Sequence, residues 1–312
     1  MKIEVLTEGQ YIGKVQRDHP HMRTDLAWIC ALQADHIPIV KVHEIENEYD
    51  LGVFILPKKL EQIAGYLEQV DYKSKFKKIA FMQEGPQTFF QDYHINLQFW
   101  YYDFLQNVDY IFTHNLIDQN YYRGLTNKPT YILQSLIIET PLQNLEIKTY
   151  DQRKNLAIIG GNFTEWYSGF DSYIVAREFS ENVAAPSMGR SQHGEEQVVQ
   201  KVPHIQWKDW MSHLNSFRYG VHMMRTAAAG TFSLNCAYLG IPCIGYDIID
   251  TQSILHPDLT VQVGDIGRAR QLACRLRDDR GFYDHVSHQA QERYRRFYTE
   301  EIFLKKFYEA VF

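Results

Sequence analysis

The stretch that decides the fold is Tyr219-Gly220-Val221-His222-Met223-Met224-Arg225-Thr226-Ala227-Ala228-Ala229-Gly230-Thr231-Phe232-Ser233-Leu234-Asn235-Cys236-Ala237-Tyr238-Leu239-Gly240-Ile241-Pro242-Cys243-Ile244-Gly245. A short apolar run, Tyr219–Met223, predicts a strand. A loop of small residues closing on Gly230 leads into a helix over Thr231–Leu239, which Gly240 ends. A second strand over Ile241–Gly245 follows at once. Strand, loop, helix and strand in so few residues imply a crossover unit of a parallel sheet.

Outward from this unit the same alternation recurs. In the second half, strands are expected at Asn155–Ile159, Asn182–Ala185 and Thr260–Val263, with helices at Tyr173–Phe179, Trp207–Phe217 and Ile266–Asp278. In the first half, strands are expected at Lys2–Thr7, Ile37–Val42, Leu51–Leu56, Lys78–Gln83, Tyr110–Thr113 and Thr130–Leu133. The helices between them are expected at Asp25–Ala34, Lys58–Val70, Ile95–Asn107 and Leu116–Arg123. A polar stretch, Thr140 to Asp151, separates the halves. The fold class is therefore α/β, with two Rossmann-like domains at 1–148 and 149–286. Their strands' carboxyl ends are expected to face a central cleft, where ligands of open α/β sheets bind. Residues 287–312 read as C-terminal helices, with Tyr294, Phe297, Ile302, Phe303 and Phe307 forming an apolar stripe that packs back across the domain interface.

Composition narrows the function. The formal charge of −6 argues against a nucleic-acid partner, because such a protein needs a basic surface to displace counterions. Residues 1–150 carry 14 Lys and Arg against 19 Asp and Glu, and residues 151–312 carry 18 against 19, so the cations are relatively concentrated in the second half. The four cysteines are scattered without a Cys-x-x-Cys pair, as expected of buried thiols in a reducing compartment. The chain starts directly on a strand pattern with no signal-peptide features, and no apolar run nears membrane-spanning length. A cytoplasmic location is the expectation.

The segment 219–245 resembles the donor-site signature of GT-B glycosyltransferases, and the two-sheet layout resembles their architecture. The resemblance implies an enzyme that binds a nucleoside diphosphate-sugar in its second half and a hydroxyl acceptor (glycan, lipid-linked or small molecule) in its first. It needs no cofactor beyond the donor. On this reading Gly230 lets the backbone approach the diphosphate, and the N-terminus of the helix at Thr231 offers N–H groups and a positive dipole end. Arg225 adds a bidentate clamp. Gly161 and Asn162, after the strand at 155–159, face the diphosphate or sugar, and Trp207 lines the base pocket. Gly9 lies in the loop after the first strand that approaches the donor. Many retaining members carry two glutamates eight positions apart here. In this chain Ala227 and Asn235 stand at those places, with Asn235 left to hydrogen-bond a ribose hydroxyl, so the anomeric outcome stays open.

In the first half, Glu84 and His114 follow predicted strands, where a carboxylate or imidazole serves as general base or orients the acceptor. The alternatives are a turn cap before Pro86 for Glu84 and a packed histidine for His114. The loop holding His19, His21 and Arg23 is the acceptor-binding candidate. Its His-x-His has no second ligand cluster, so no metal site is expected. The basic, aromatic stretch 292–298 suits peripheral contact with an anionic membrane, although helix packing explains it better, since Glu300, Glu301 and Glu309 dilute its charge. A nucleotide-sugar epimerase of the same fold and a two-domain binding protein are the competing functions.

Overall fold

The computed structural model describes the chain except Arg23, Glu84, Glu165 and residues 188–193. It divides into two compact units. Unit 1 comprises Met1–His19, Arg23–Ile138 and Glu300–Phe312, and unit 2 comprises Pro20–Met22 and Glu139–Thr299.

In unit 1, six strands, β1 (Ile3–Thr7), β2 (Asp35–Pro38), β3 (Tyr49–Leu56), β4 (Phe76–Gln83), β5 (Tyr110–Thr113) and β6 (Thr130–Ile132), form one parallel sheet in the order β2-β1-β3-β4-β5-β6. Helices α1 (Asp25–Ala31), α2 (Glu61–Leu67), α3 (Ile95–Gln106) and α4 (Leu116–Thr126) make the connections. The strand expected at Ile37–Val42 stops at Pro38 and continues as a 3-10 turn over Ile39–Glu44. Beyond Pro38 the edge strand has no further pairing, consistent with proline's missing N–H. An aromatic cluster fills the core: Phe54 packs edge-on to Phe76, Phe104 and Tyr72, and the buried hydroxyls of Tyr101 and Tyr122 lie 2.7 Å apart. The last helix of the chain, α11 (Glu300–Val311), belongs to this unit, with Phe303 5.1 Å from Trp28 and Phe307 5.6 Å from Phe112 between ring centroids.

In unit 2, β7 (Lys154–Ile159), β8 (Val183–Pro186), β9 (Gln200–Val202), β10 (Phe217–His222), β11 (Cys243–Tyr246) and β12 (Thr260–Val261) form a second parallel sheet. Its helices are α5 (Gly169–Ala176), α6 (Trp207–Leu214), α7 (Thr231–Leu239), α8 (Asp250–Leu255), α9 (Ile266–Asp278) and α10 (Arg280–Phe297). The sheet order is β12-β11-β10-β7-β8-β9. Counted from the first strand of the unit this is 3-2-1-4-5-6, the order of dinucleotide-binding folds, and the order reverses between β7 and β10. In sheets of this order the loops leaving these two strands diverge to opposite faces and open a crevice at their carboxyl ends. The segment expected to begin at 287 starts inside α10, an unbroken helix from Arg280, and the chain passes back to unit 1 at Glu300.

One buried carboxyl shapes the pH dependence of unit 1. Glu4 sits in β1 at 3% exposure, and burial together with the charge of Asp35 pushes it up to about 7, partly offset by the hydroxyl of Tyr49. The folded state therefore holds a proton that the unfolded chain releases near 4.5, so stability falls as pH rises from 4.5 through 7. Glu4→Gln is expected to stabilise the protein by up to about 3 kcal/mol at pH 8, with the gain vanishing toward pH 4.5. Denaturant titrations of both proteins across that range measure it. A pH-independent difference would show that Glu4 is not the titrating group.

Candidate functional site

The crevice of unit 2 is built from two loops. After β7 comes Gly160-Gly161-Asn162, and after β10 comes Met223 to Gly230. The first turn is tied to the neighbouring strand by the Gly160 N–H, which donates to the Val221 carbonyl at 2.8 Å. Gly161 has φ +81°, a conformation that side chains resist, and a Cβ there would lie 2.6 Å from the ring of Tyr167. Asn162 is 5% exposed, and its Oδ1 has no hydrogen-bond partner among the described residues. Beside it His222 closes β10. Burial pushes its imidazole down to about 4, so the ring is neutral at physiological pH, and its Nδ1 also has no partner among the described residues.

The second loop is anchored to α5 at two points and to the segment before it at a third. The Met223 N–H donates to the Ser172 Oγ at 2.9 Å, and the Thr226 hydroxyl donates to the Trp166 carbonyl at 3.1 Å. Arg225 donates through Nε and Nη2 to one oxygen of Asp171, at 3.0 and 2.7 Å, and the Tyr246 hydroxyl reaches the same oxygen at 3.2 Å. The Arg225 side chain is still half exposed, at 53%, and its Nη1 has no protein partner among the described residues. It is thus an oriented guanidinium with donors to spare, held by one carboxylate.

Gly230 caps α7 with φ +68°. The space a Cβ would need is filled by protein, 2.6 Å from Thr251 and 2.7 Å from Ile249, so glycine here is required by backbone conformation and by packing against α8. The first intrahelical bond runs from the Leu234 N–H to the Gly230 carbonyl. The N–H groups of Thr231, Phe232 and Ser233 therefore have no acceptor within the helix and point out of its first turn. One turn further in, Asn235 is buried.

The opposite end of α7 is clamped. Arg153, 4% exposed, donates through Nη1 to the Gly240 carbonyl at 2.8 Å and through Nη2 to the Leu239 carbonyl, and the hydroxyl of Tyr283 lies 3.1 Å from Nη1. A buried cation on the last carbonyls of a helix complements the negative end of its dipole.

The remaining candidates are more scattered. Trp207 opens α6 and is buried at 5%. Gly9 donates its N–H to Thr7 Oγ1 (2.9 Å), Thr7 in turn bonds His36 Nε2 (2.9 Å), and His36 Nδ1 donates to the Tyr11 carbonyl (2.5 Å), so the loop after β1 is held by a buried polar chain. His114 follows β5 and is buried against Trp28. Its Nδ1–H donates to the Leu133 carbonyl at 3.1 Å, which leaves Nε2 as the acceptor nitrogen, and burial pushes it down to about 4. His19 packs edge-on to Tyr11 in unit 1, whereas His21 falls in the Pro20–Met22 segment grouped with unit 2, where the Lys208 N–H donates to the Pro20 carbonyl at 3.1 Å. Glu84 and Arg23 lie outside the described residues. Sequence reasoning missed Asp171, Tyr246 and Arg153. The acidic first turn of α5 was the only local signal for Asp171. No group of three or more His, Cys, Asp or Glu side chains among the described residues is placed to hold a metal ion.

No family model and no curated protein matches the sequence. Solved structures do. An α-glucosyltransferase in complex with UDP and a 13-mer DNA containing a HMU base superposes at TM-score 0.72 with 11% identity, covering 100% of this chain and 99% of that one. Sucrose-phosphate synthase from Thermosynechococcus elongatus gives 0.66 with 12% identity, covering 100% and 99%. TarM gives 0.61 with 9% identity over 86% of this chain, which spans 57% of TarM. Likeness at this identity speaks to architecture, and the architecture is the GT-B glycosyltransferase fold.

If Arg153 holds α7 in place, Arg153→Leu removes the donor of the Leu239 carbonyl, leaves the Gly240 carbonyl with the Ser287 hydroxyl, and is expected to destabilise unit 2 by about 3 kcal/mol. For a unit of this size that is a fall in Tm of roughly 6–12 °C by calorimetry. Arg153→Lys, which keeps charge and one donor, should lose less. An unchanged Tm in the leucine variant would show that the clamp is dispensable.

Proposed function

We propose that the protein is a glycosyltransferase that moves a sugar from a nucleoside diphosphate-sugar to a hydroxyl acceptor, with unit 2 holding the donor. The observation that carries this reading is the convergence of three anion-recognising features at one topological switch point. These are the first-turn N–H groups of α7, the half-exposed guanidinium of Arg225 and the turn at Gly161-Asn162. Two structures similar over almost their whole length are by name an α-glucosyltransferase and a sucrose-phosphate synthase, and the first holds UDP, which makes a uridine nucleotide the first donor to try.

In the reaction, the diphosphate develops charge as the sugar leaves. Preformed N–H groups and Arg225 stabilise that charge without reorganising, because α7 is fixed at its far end and Arg225 is fixed by Asp171. Gly160 and Gly161 keep the turn below the diphosphate free of side chains, and the neutral floor of Asn162 and His222 offers the sugar hydroxyls hydrogen-bonding groups without a competing charge. Asn235 remains the proposed ribose partner and Trp207 part of the base pocket. Unit 1 would supply the acceptor side. Gly9 remains a proposed donor contact, Glu84 and His114 are the proposed catalytic residues, and His19, His21 and Arg23 are the proposed acceptor contacts. Of these His114, neutral and a weak base, is better suited to accept a hydrogen bond through Nε2 than to carry a proton. The acceptor proposed is a glycan, lipid-linked or small molecule. The DNA in the glucosyltransferase complex belongs to that protein, and the charge of −6 here does not favour a polyanion. Free, largely buried cysteines suit a cytoplasmic setting, and no described helix is long and apolar enough to cross a membrane.

Titration calorimetry with UDP tests the reading. The parent protein is expected to bind, and Arg225→Gln to bind about 10- to 100-fold more weakly with only a small change in Tm, as for loss of one charge-assisted contact. Equal affinity in the folded variant removes Arg225 from the site. Failure of the parent to bind UDP or any other nucleoside diphosphate overturns the donor assignment.

A further inference from the structure

A second feature of unit 2 is independent of the transferase reading. An open groove of about 450 Å³ runs between α9 and α10 beside the turn at Pro257–Leu259. One wall is Thr260, the first residue of β12. In a parallel sheet that places the groove at the amino ends of the strands, opposite the carboxyl ends where the donor loops gather.

Helix α9 carries four arginines in two pairs, each pair spaced seven residues apart and so sharing a helix face. One pair is satisfied: Arg270 Nε donates to Glu178 at 2.5 Å, and Arg277 donates to both oxygens of Asp278 at 2.7 and 2.9 Å. The other pair, Arg268 and Arg275, lines the groove and is not. Among the described residues Arg268 reaches only the neutral amide of Gln271, at 3.3 Å, and Arg275 approaches Asp279 no closer than 3.8 Å between two exposed side chains. The Arg275 guanidinium instead lies over the ring of Phe282, 3.8 Å from its centroid. Stacking of this kind holds the plane of the guanidinium and leaves its edge donors free, the arrangement that receives a phosphate or carboxylate as a bidentate partner. His285 on α10 adds a third nitrogen base. The carboxylate among the described residues that line the groove, Asp258, is engaged by Gln289 at 3.1 Å and faces His285 at 3.5 Å.

We propose that this groove binds a small molecule carrying two anionic groups, one on Arg275 and one on Arg268. Seven residues of helix separate the two arginines by roughly 10 Å along the axis, which a bisphosphate spans and a single phosphate does not.

The test is calorimetry on the full chain with fructose 1,6-bisphosphate as probe and inorganic phosphate as comparator. The bisphosphate is expected to bind at least tenfold more tightly than phosphate. The double variant Arg268→Gln/Arg275→Gln should weaken it tenfold or more, and Arg225→Gln should leave it unchanged. Asp258→Asn, which removes the like charge, should tighten it several-fold and keeps the test decisive if the double variant folds poorly. No binding of the bisphosphate, equal affinity for phosphate, an unaffected double variant or an unaffected Asp258→Asn each overturns the proposal.

Discussion

The grip of Arg153 on the last carbonyls of α7 is the interaction on which the rest of unit 2 depends. A helix N-terminus is useful to an anion only if its axis cannot swing, and α7 has only nine residues with which to resist. Anchoring the far end through a buried guanidinium, itself steadied by Tyr283, turns the helix into a fixed pointer. The strand reversal between β7 and β10 then decides where it points, because only there do the flanking loops leave in opposite directions.

Below that pointer the charges are balanced rather than accumulated. Arg225 is matched by Asp171, and the buried polar groups beneath, Asn162 and His222, are neutral. An incoming diphosphate would therefore meet a compensated site whose surplus positive potential comes from backbone dipoles and from the spare edge of a single guanidinium. On the proposed reading such a site would receive an anion without having to hold several cations against one another when empty.

Local patterning carried the elements furthest where the signals agreed. The helices at Thr231–Leu239 and Ile266–Asp278 lie where glycine, capping and periodicity place them. Short elements escaped: β9 has three residues and α8 six, too few for a period to show. Helix α5 begins at Gly169, a turn ahead of the apolar run that advertised it, because its first turn, Gly169-Phe170-Asp171-Ser172, contributes bonds to the β10 loop rather than a regular apolar stripe. For the site, Gly161, Asn162, Arg225 and Gly230 were visible as residues, but their partners were not. Asp171 lies 54 residues from Arg225, and Arg153 lies 87 from Gly240, separations that no local pattern spans.

The return of α11 to unit 1 bears on how the molecule is made. Trp28 and Phe112 are covered by Phe303 and Phe307, which follow the whole of unit 2 in the chain. During synthesis the first sheet must wait, one apolar face uncovered, while some 160 intervening residues are added. Unit 2 is nearly contiguous and can close on itself as it emerges. The half of the protein that is translated first is thus the half that finishes folding last, and a nascent chain stalled anywhere before Glu300 leaves Trp28 and Phe112 open to whatever binds exposed aromatic surface.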